Sequence, residues 1–234
     1  MQFKVQENDP FAVASIQMNQ GEIAKIKTGA VLYFNDQIKL EGGINSQKKG
    51  LGGVVSALGR SIASGETMFV SSAQAIGDQA EITVAPQVPG NILQLSVDNA
   101  HRYHLNDGAF LASDNSVDYK ITRQAIGKSI FGGTGGFFIM ETEGSGNLLV
   151  SAFGNFMKLT LDGSQTYSVD NYHVVAWSTT LDYDIRPASG VIGFKTGEGL
   201  INHFSGQGEV YIQTRNLSDF GGALDGFIDS DSTD

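Results

Sequence analysis

The sequence predicts an all-β fold of three tandem β-modules forming a β-sandwich or double-stranded β-helix-like architecture. Three observations predict it: gapless internal self-similarity, alternating apolar residues in short runs, and abundant glycine with little proline. The self-similar segments are Ile16-Gln17-Met18-Asn19-Gln20-Gly21, Leu95-Ser96-Val97-Asp98-Asn99-Ala100 and Leu159-Thr160-Leu161-Asp162-Gly163-Ser164, offset by 79 and then 64 residues. Each is an alternating strand running into a turn. The same offsets align Ile26, Leu105 and Val169, then Val31, Phe110 and Val174, then Leu32, Leu111 and Val175. Ile38 aligns with Val117 and Leu181, and Leu40 with Tyr119 and Tyr183. Two offsets sustained along the chain in this way mark a repeated supersecondary unit.

Alternation at Leu93, Leu95 and Val97, and at Met157, Leu159 and Leu161, gives each of those strands one buried face. Ala30–Phe34 and His173–Trp177 are nearly continuous apolar runs, which suit strands covered on both faces. Glycine-led strands follow in each copy, at Gly65-Glu66-Thr67-Met68-Phe69, Gly135-Gly136-Phe137-Phe138-Ile139 and Gly197-Glu198-Gly199-Leu200-Ile201. A second turn and strand then begin at Gly77, at Gly144-Ser145-Gly146 and at Gly206-Gln207-Gly208. Thirty glycines beside four prolines fit many tight turns, where glycine reaches positive φ without steric cost.

The modules are expected at about 14–92, 93–156 and 157–217, within a single compact β domain over 1–217. Apolar residues make up 41% of the 234 residues and charged ones 17%, enough apolar surface to offset chain-ordering entropy. After Leu217 the pattern dissolves into a Ser/Asp-rich end, so 218–234 is expected to be an acidic, disordered tail.

Charge and composition exclude several function classes. The formal net charge is −10, with five of the 25 acids after Leu217, leaving 20 acids against 15 bases before it. Nucleic-acid binding needs a dense basic surface to release counterions, so no nucleic acid is expected. The absence of cysteine removes disulfides, thiolate nucleophiles and cysteine metal sites. The N-terminus lacks the order of a signal peptide and no apolar run approaches the ~18 residues of a spanning helix, so the expected location is cytoplasmic.

Motifs that carry chemistry fail one by one. His101 and His104 would share a helix face, but at i and i+3 of a strand they point oppositely. The His-x-His pair of cupin enzymes is absent. Gly127-Lys128-Ser129 lacks the earlier glycine of a phosphate loop, where Thr122 stands instead. The run Phe131–Phe137 lacks the strand-to-helix setting that gives such loops their dipole. No nucleophile elbow is present. Asp182 and Asp184 share a strand face, but the matching positions are Asp118 with Lys120 and Lys39 with Glu41, which reads as a solvated face. The expectation is no catalytic residue, no cofactor, no metal and no enzyme activity.

The largest departure between copies is an insertion over 42–64. Leu51, Val54, Val55, Leu58 and Ile62 fall at helical spacing, flanked by Lys48, Lys49 and Arg60, with no acid between Gly42 and Ser64. These eight residues are the candidate contact for a protein partner or a membrane surface, against the alternative that the segment only caps the fold. Gly50, Gly52, Gly53 and Gly59 weaken any helix there by about 1 kcal/mol each.

Gly197-Glu198-Gly199-Leu200-Ile201, the run Phe204–Thr214, and Arg60 with Gly65-Glu66-Thr67-Met68-Phe69 carry a resemblance to the bacterial branch of the altered-inheritance-of-mitochondria type-24 family. The resemblance extends over almost all of 1–217. It implies a fold similar to the tryptophan RNA-binding attenuation protein, with threefold internal duplication and no attached catalytic residues. Mitochondrial members are linked to inner-membrane organisation. The attenuation protein's RNA and tryptophan contacts do not carry over, because no matching basic motif is present. The expected function is therefore non-enzymatic binding or scaffolding through β surfaces, with an unidentified protein partner and homo-oligomerisation as the open partner classes. A peripheral membrane role for 42–64 is the alternative, and a cupin-like enzyme the third.

Overall fold

The computed structural model describes residues 1–6, 11–44, 69–106, 108–124, 137–188, 199–225 and 227, and among them eighteen strands and one α-helix. The strands are β1 (Gln2–Gln6), β2 (Val13–Met18), β3 (Ile23–Lys27), β4 (Val31–Phe34), β5 (Ile38–Ile44), β6 (Phe69–Ala75), β7 (Ala80–Val84), β8 (Ile92–Val97) and β9 (Tyr103–Leu105). They continue with β10 (Phe110–Asp114), β11 (Val117–Gln124), β12 (Phe137–Gly144), β13 (Gly146–Ser151), β14 (Phe156–Asp162), β15 (Tyr167–Asp170), β16 (Val174–Ser178), β17 (Leu181–Pro187) and β18 (Leu200–Gln213). Helix α1 spans Leu217–Asp225.

All named strand pairs are antiparallel, and four kinds of pair recur along the chain, one of them β3 with β6, β9 with β12 and β15 with β18. β2 with β7, β8 with β13, and β14 with β18 set Ile16 opposite Ile82, Leu95 opposite Leu148 and Leu159 opposite Val210. β5 with β6, β11 with β12, and β17 with β18 set Ile38 opposite Ala75, Val117 opposite Gly144 and Leu181 opposite Gly206. β4 with β7, β10 with β13, and β16 with β18 each carry one register irregularity, between Val31 and Tyr33, Phe110 and Ala112, and Val174 and Ala176. Those three interruptions stand at the 79- and 64-residue offsets, so one bulge is placed three times. A bulge bends its strand and raises local twist, which lets a sheet curl over its own core.

The sheets run β1-β2-β7-β4, then β5-β6-β3-β10-β13-β8, then β11-β12-β9-β16-β18-β14, with β15 and β17 also paired to β18. The layers are sandwich-like. Three apolar clusters lie between them, around Ile16, Ile26 and Ile82, around Leu105, Phe110 and Leu148, and around Trp177, Phe204 and Val210. The close approach of successive segments depends on Gly90, which bridges both Phe11 and Gly154. A Cβ on Gly90 would lie 1.8 Å from the Ala152 carbonyl oxygen, so no larger residue fits. Gly144 turns β12 into β13 at φ +81°, and a Cβ there would meet the Ser116 carbonyl oxygen at 2.1 Å.

Four details differ from the sequence reading. β18 is one continuous strand through Gly206 and Gly208 rather than two strands and a turn; its first half pairs with β15 and β17, its second with β14 and β16. Met157 is exposed despite its place in an alternating run. β16 is buried as expected, whereas Leu32, Tyr33 and Phe34 of β4 are exposed, β4 having one neighbouring strand among the described residues. Residues 217–225 are helical where disorder was expected. Asn216 caps that helix, its Oδ1 accepting from the Asp219 N–H at 2.8 Å, and Phe220 docks edge-on against Phe153 at 5.3 Å between ring centroids.

Candidate functional site

Among the described residues a cavity of about 360 Å³ lies where β3, the approach to β10, β16 and the start of α1 converge. That volume is at the lower end of small-molecule sites. Lys27 ends β3, Asn106 follows β9, and Asn171 opens a 3-10 turn over Asn171–His173 whose preceding Asp170 accepts from the Tyr172 N–H at 2.7 Å. The carboxylate at that turn is the local signal that breaks β15 and starts a new element.

The lining is mostly apolar, including Val88, Phe153, Val175 and Leu217, and its polar groups are amides, Lys27 and backbone. Asn106 Nδ2 donates to the carbonyls of Asn171 and Val174, both at 3.0 Å, which fixes the amide orientation. Among the described residues its Oδ1 and the Oδ1 of buried Asn171 have no hydrogen-bond partner. Lys27 Nζ donates to the Gly108 carbonyl at 2.9 Å. Gln213 accepts from the Phe153 N–H at 2.9 Å and donates to the Tyr172 carbonyl at 2.8 Å, tying β18 to the rim. His173 contacts the Gln213 carbonyl through Nδ1 at 2.7 Å, so Nδ1 carries the proton and Nε2 accepts from Asn216 Nδ2 at 2.9 Å. Among the described residues the arrangement has no nucleophile–base pair within it. None of these residues stood out in the sequence. The one available signal was a polar residue at the matching positions 27, 106 and 170, just ahead of each third strand.

A second group of partner-seeking atoms lies in the third core. His104 stacks against Trp177 and Tyr183 with ring centroids 5.3 and 5.4 Å away, and Trp177 meets Tyr183 at 4.9 Å. Burial pushes the His104 pKa below its ordinary value, with Glu141 opposing and Arg102 assisting the shift. Tyr183 and Tyr103 are pushed up by burial first, and Tyr211 further up by burial and its hydrogen bond to Glu209. Among the described residues His104 Nδ1, Trp177 Nε1 and both side-chain polar atoms of fully buried Asn202 have no hydrogen-bond partner.

The structure separates the histidines singled out by sequence. His101 is exposed and bonded to Asp98 at 3.0 Å, whereas His104 is held in the aromatic stack. Among the described residues no group of three His, Cys, Asp or Glu could hold a metal ion. Asp182 and Asp184 are both exposed, and Asp184 lies 4.0 Å from Arg186. At the matching positions Lys39 pairs with Glu41 at 2.7 Å and Asp118 with Lys25 at 2.6 Å. Lys48, Lys49, Leu51, Val54, Val55, Leu58, Arg60 and Ile62 lie outside the described residues, as do Gly127-Lys128-Ser129 and 131–136. Among the described residues no helix is long and apolar enough to cross a membrane.

Comparison with known proteins adds the relationship. Residues 3–215 match the family model described as Mitochondrial biogenesis AIM24. An uncharacterized protein of Streptococcus pyogenes serotype M6 is 44% identical over 233 residues, covering 99% of this chain and 93% of that protein. A crystal structure of a Streptococcus pyogenes protein superposes with a TM-score of 0.80 at 41% identity, over 97% of this chain and 99% of that one. With nearly its whole length matched, this chain belongs to the Mitochondrial biogenesis AIM24 family.

Proposed function

We propose that the chain is a non-enzymatic scaffold or binding protein that acts through its β surfaces, in the cytoplasm, with a fold similar to that of the tryptophan RNA-binding attenuation protein. One observation carries this reading. Matching positions keep their buried apolar character, as at Ile82, Leu148 and Val210, but change their polar chemistry, as at Lys39, Asp118 and Asp182. A repeated catalytic site would need repeated polar groups in fixed geometry. The shifted titrating groups support the same view, since their causes are burial or an adjacent partner, as for Asp98 beside His101 and Glu209 beside Lys158. Metal analysis of purified protein after chelator dialysis tests the proposal: less than stoichiometric metal is expected, and a retained equivalent of a first-row transition metal per chain would refute it.

A second reading is favoured by the apolar stripe of Leu51, Val54, Val55, Leu58 and Ile62 beside Lys48, Lys49 and Arg60, which suits an anionic membrane surface. Co-sedimentation with anionic vesicles checks it. Absence of binding, or binding undiminished by Leu58→Asp, removes it.

A further inference from the structure

Helix α1 presents an apolar face that is largely uncovered among the described residues. Leu217, Phe220 and Leu224 recur at helical spacing along one side and Phe227 follows the last turn; they are 60%, 47%, 41% and 87% exposed. No residue of the helix is buried, and Phe220 meets the body edge-on at Phe153. Asp219 and Asp225 fall on either side of the apolar face, and after Arg215 the sequence holds five aspartates and no base. Gly221 and Gly222 weaken a helix relative to alanine, yet a Cβ on either would meet nothing within 4 Å among the described residues. The described fold does not require these glycines, whereas close approach of another backbone accounts for them.

Strand register brings a complementary segment to the same end of the molecule. Lys27, the last residue of β3, pairs with Val70 of β6, which in turn pairs with Gly43 of β5. The connection from β5 to β6 therefore leaves the sheet one residue beyond that row, after Ile44, and rejoins it at Phe69. Lys27 lines the same cavity as Leu217 and Ser218 of α1. Neighbouring strands lie ~4.8 Å apart, so both roots of the connection stand about two strand spacings or less from the Lys27 strand. A connection of 24 residues, 45–68, reaches up to ~40 Å from its roots before it must return, against ~14 Å for the whole of α1.

Composition matches this connection to the helix in two respects. Lys48, Lys49 and Arg60 supply three bases with no acid between Gly42 and Ser64, and the apolar stripe from Leu51 to Ile62 runs among them. The other two long hairpin connections, 125–136 and 189–198, carry one base each, Lys128 and Lys195, and the second also carries Glu198.

We propose that residues 48–62 lie against the exposed face of α1 in the same chain, the apolar stripe on Leu217, Phe220 and Leu224 and the bases toward Asp219, Asp225 and the aspartates that follow. Two apolar faces are thereby removed from water together, and opposite charges at the rim fix which segments pair and in what orientation. The inference goes beyond the scaffold reading. It also bears on the membrane reading, because one stripe cannot lie on α1 and on a membrane at once; the docking itself is measured without vesicles, so its failure is distinct from failure of either reading.

Zero-length carbodiimide coupling joins a lysine amine to a carboxylate where the two touch, and it reads the contact directly. Isotope-light and isotope-heavy chains are unfolded, mixed and refolded together, then coupled, digested and analysed by mass. Peptides joining Lys48 or Lys49 to Asp219 or Asp225 are expected, each light with light or heavy with heavy. Light–heavy hybrids in statistical proportion would move the segment onto a neighbouring copy, and the absence of such peptides would leave α1 without this occupant; either result overturns the proposal. Amide exchange supplies a second measurement. Leu224 is exposed in the described fold, so Leu224→Asp is expected to leave β16 unchanged and to speed exchange over 48–62 by about tenfold or more, as loss of one buried leucine contact implies. Leu224→Met is expected to keep the original rates. Exchange over 48–62 that is insensitive to Leu224→Asp would sink the proposal whatever the cross-links show.

Discussion

β16 and β4 occupy corresponding places in the chain and have opposite surroundings. β16 lies between β9 and β18, and its Trp177 ring is enclosed by His104, Tyr183 and Phe204. Among the described residues β4 has β7 on one side and no strand on the other, and the Tyr33 hydroxyl bonds Glu81 at 3.0 Å on the surface. The apolar content of the two strands is similar, so the difference comes from the neighbour and not from the strand itself. An apolar run shows that a strand can be covered on both faces; whether it is covered depends on what the rest of the fold, or another chain, places beside it.

The largest effect is expected from the pair that states this contrast most directly. Trp177→Ala should cost ~3–5 kcal/mol, because a fully buried ring leaves a cavity that three aromatic neighbours cannot close. Phe34→Ala should change stability by about 0.5 kcal/mol or less in dilute, monomeric protein, as for other surface substitutions. Denaturant midpoints at low protein concentration measure both. A Phe34→Ala cost close to that of Trp177→Ala would mean that β4 is covered within a single chain.

The second expected effect concerns the other end of the molecule. α1 is held by its Asn216 cap and the Phe153–Phe220 contact, while Leu217 and Leu224 remain exposed. Asn216→Ala removes the acceptor for the Asp219 N–H and the donor to His173, and should weaken the helix by ~1 kcal/mol. Amide exchange should accelerate over 217–225 and leave β16 unchanged. Equal acceleration in β16 would show that the helix and the third core unfold as one unit.

The sequence made the interior legible and the periphery much less so. Ile16, Leu95 and Leu159 were aligned without a structure, and each sits opposite a fully buried residue, Ile82, Leu148 or Val210. Burial selects for residue type at a fixed period, and that leaves a direct trace in composition. The bulge at Leu32, Leu111 and Val175 left none, since it alters backbone pairing and not the spacing of side chains. α1 was obscured by Gly221, Gly222 and the acidic composition, although Asn216 with Asp219 three residues later is a readable N-terminal signature. The cavity acceptors Asn106 and Asn171 were hidden for another reason. Both serve local backbone geometry, and an amide that positions a turn is indistinguishable by sequence from one that meets a ligand.

The smallest expected effect separates the two internal seams from each other. At the first, Lys25 pairs with Asp118 and donates to the Val117 carbonyl at 2.7 Å; at the second, the matching residue is His104, packed on Trp177. Burial holds the His104 pKa below its ordinary 6.5, so above that pH the imidazole is neutral in both folded and unfolded chains and the seam has its full stability. As pH falls through 6.5 the unfolded chain takes up a proton that the folded site resists, and stability declines until the folded imidazole itself titrates. His104→Phe, which keeps the ring contact and removes the titration, should flatten the midpoint between pH 7 and the onset of carboxylate protonation near the ordinary ~4.3 of glutamate. A decline of unchanged slope in that variant would assign the pH response to other groups and leave the two seams electrostatically equivalent.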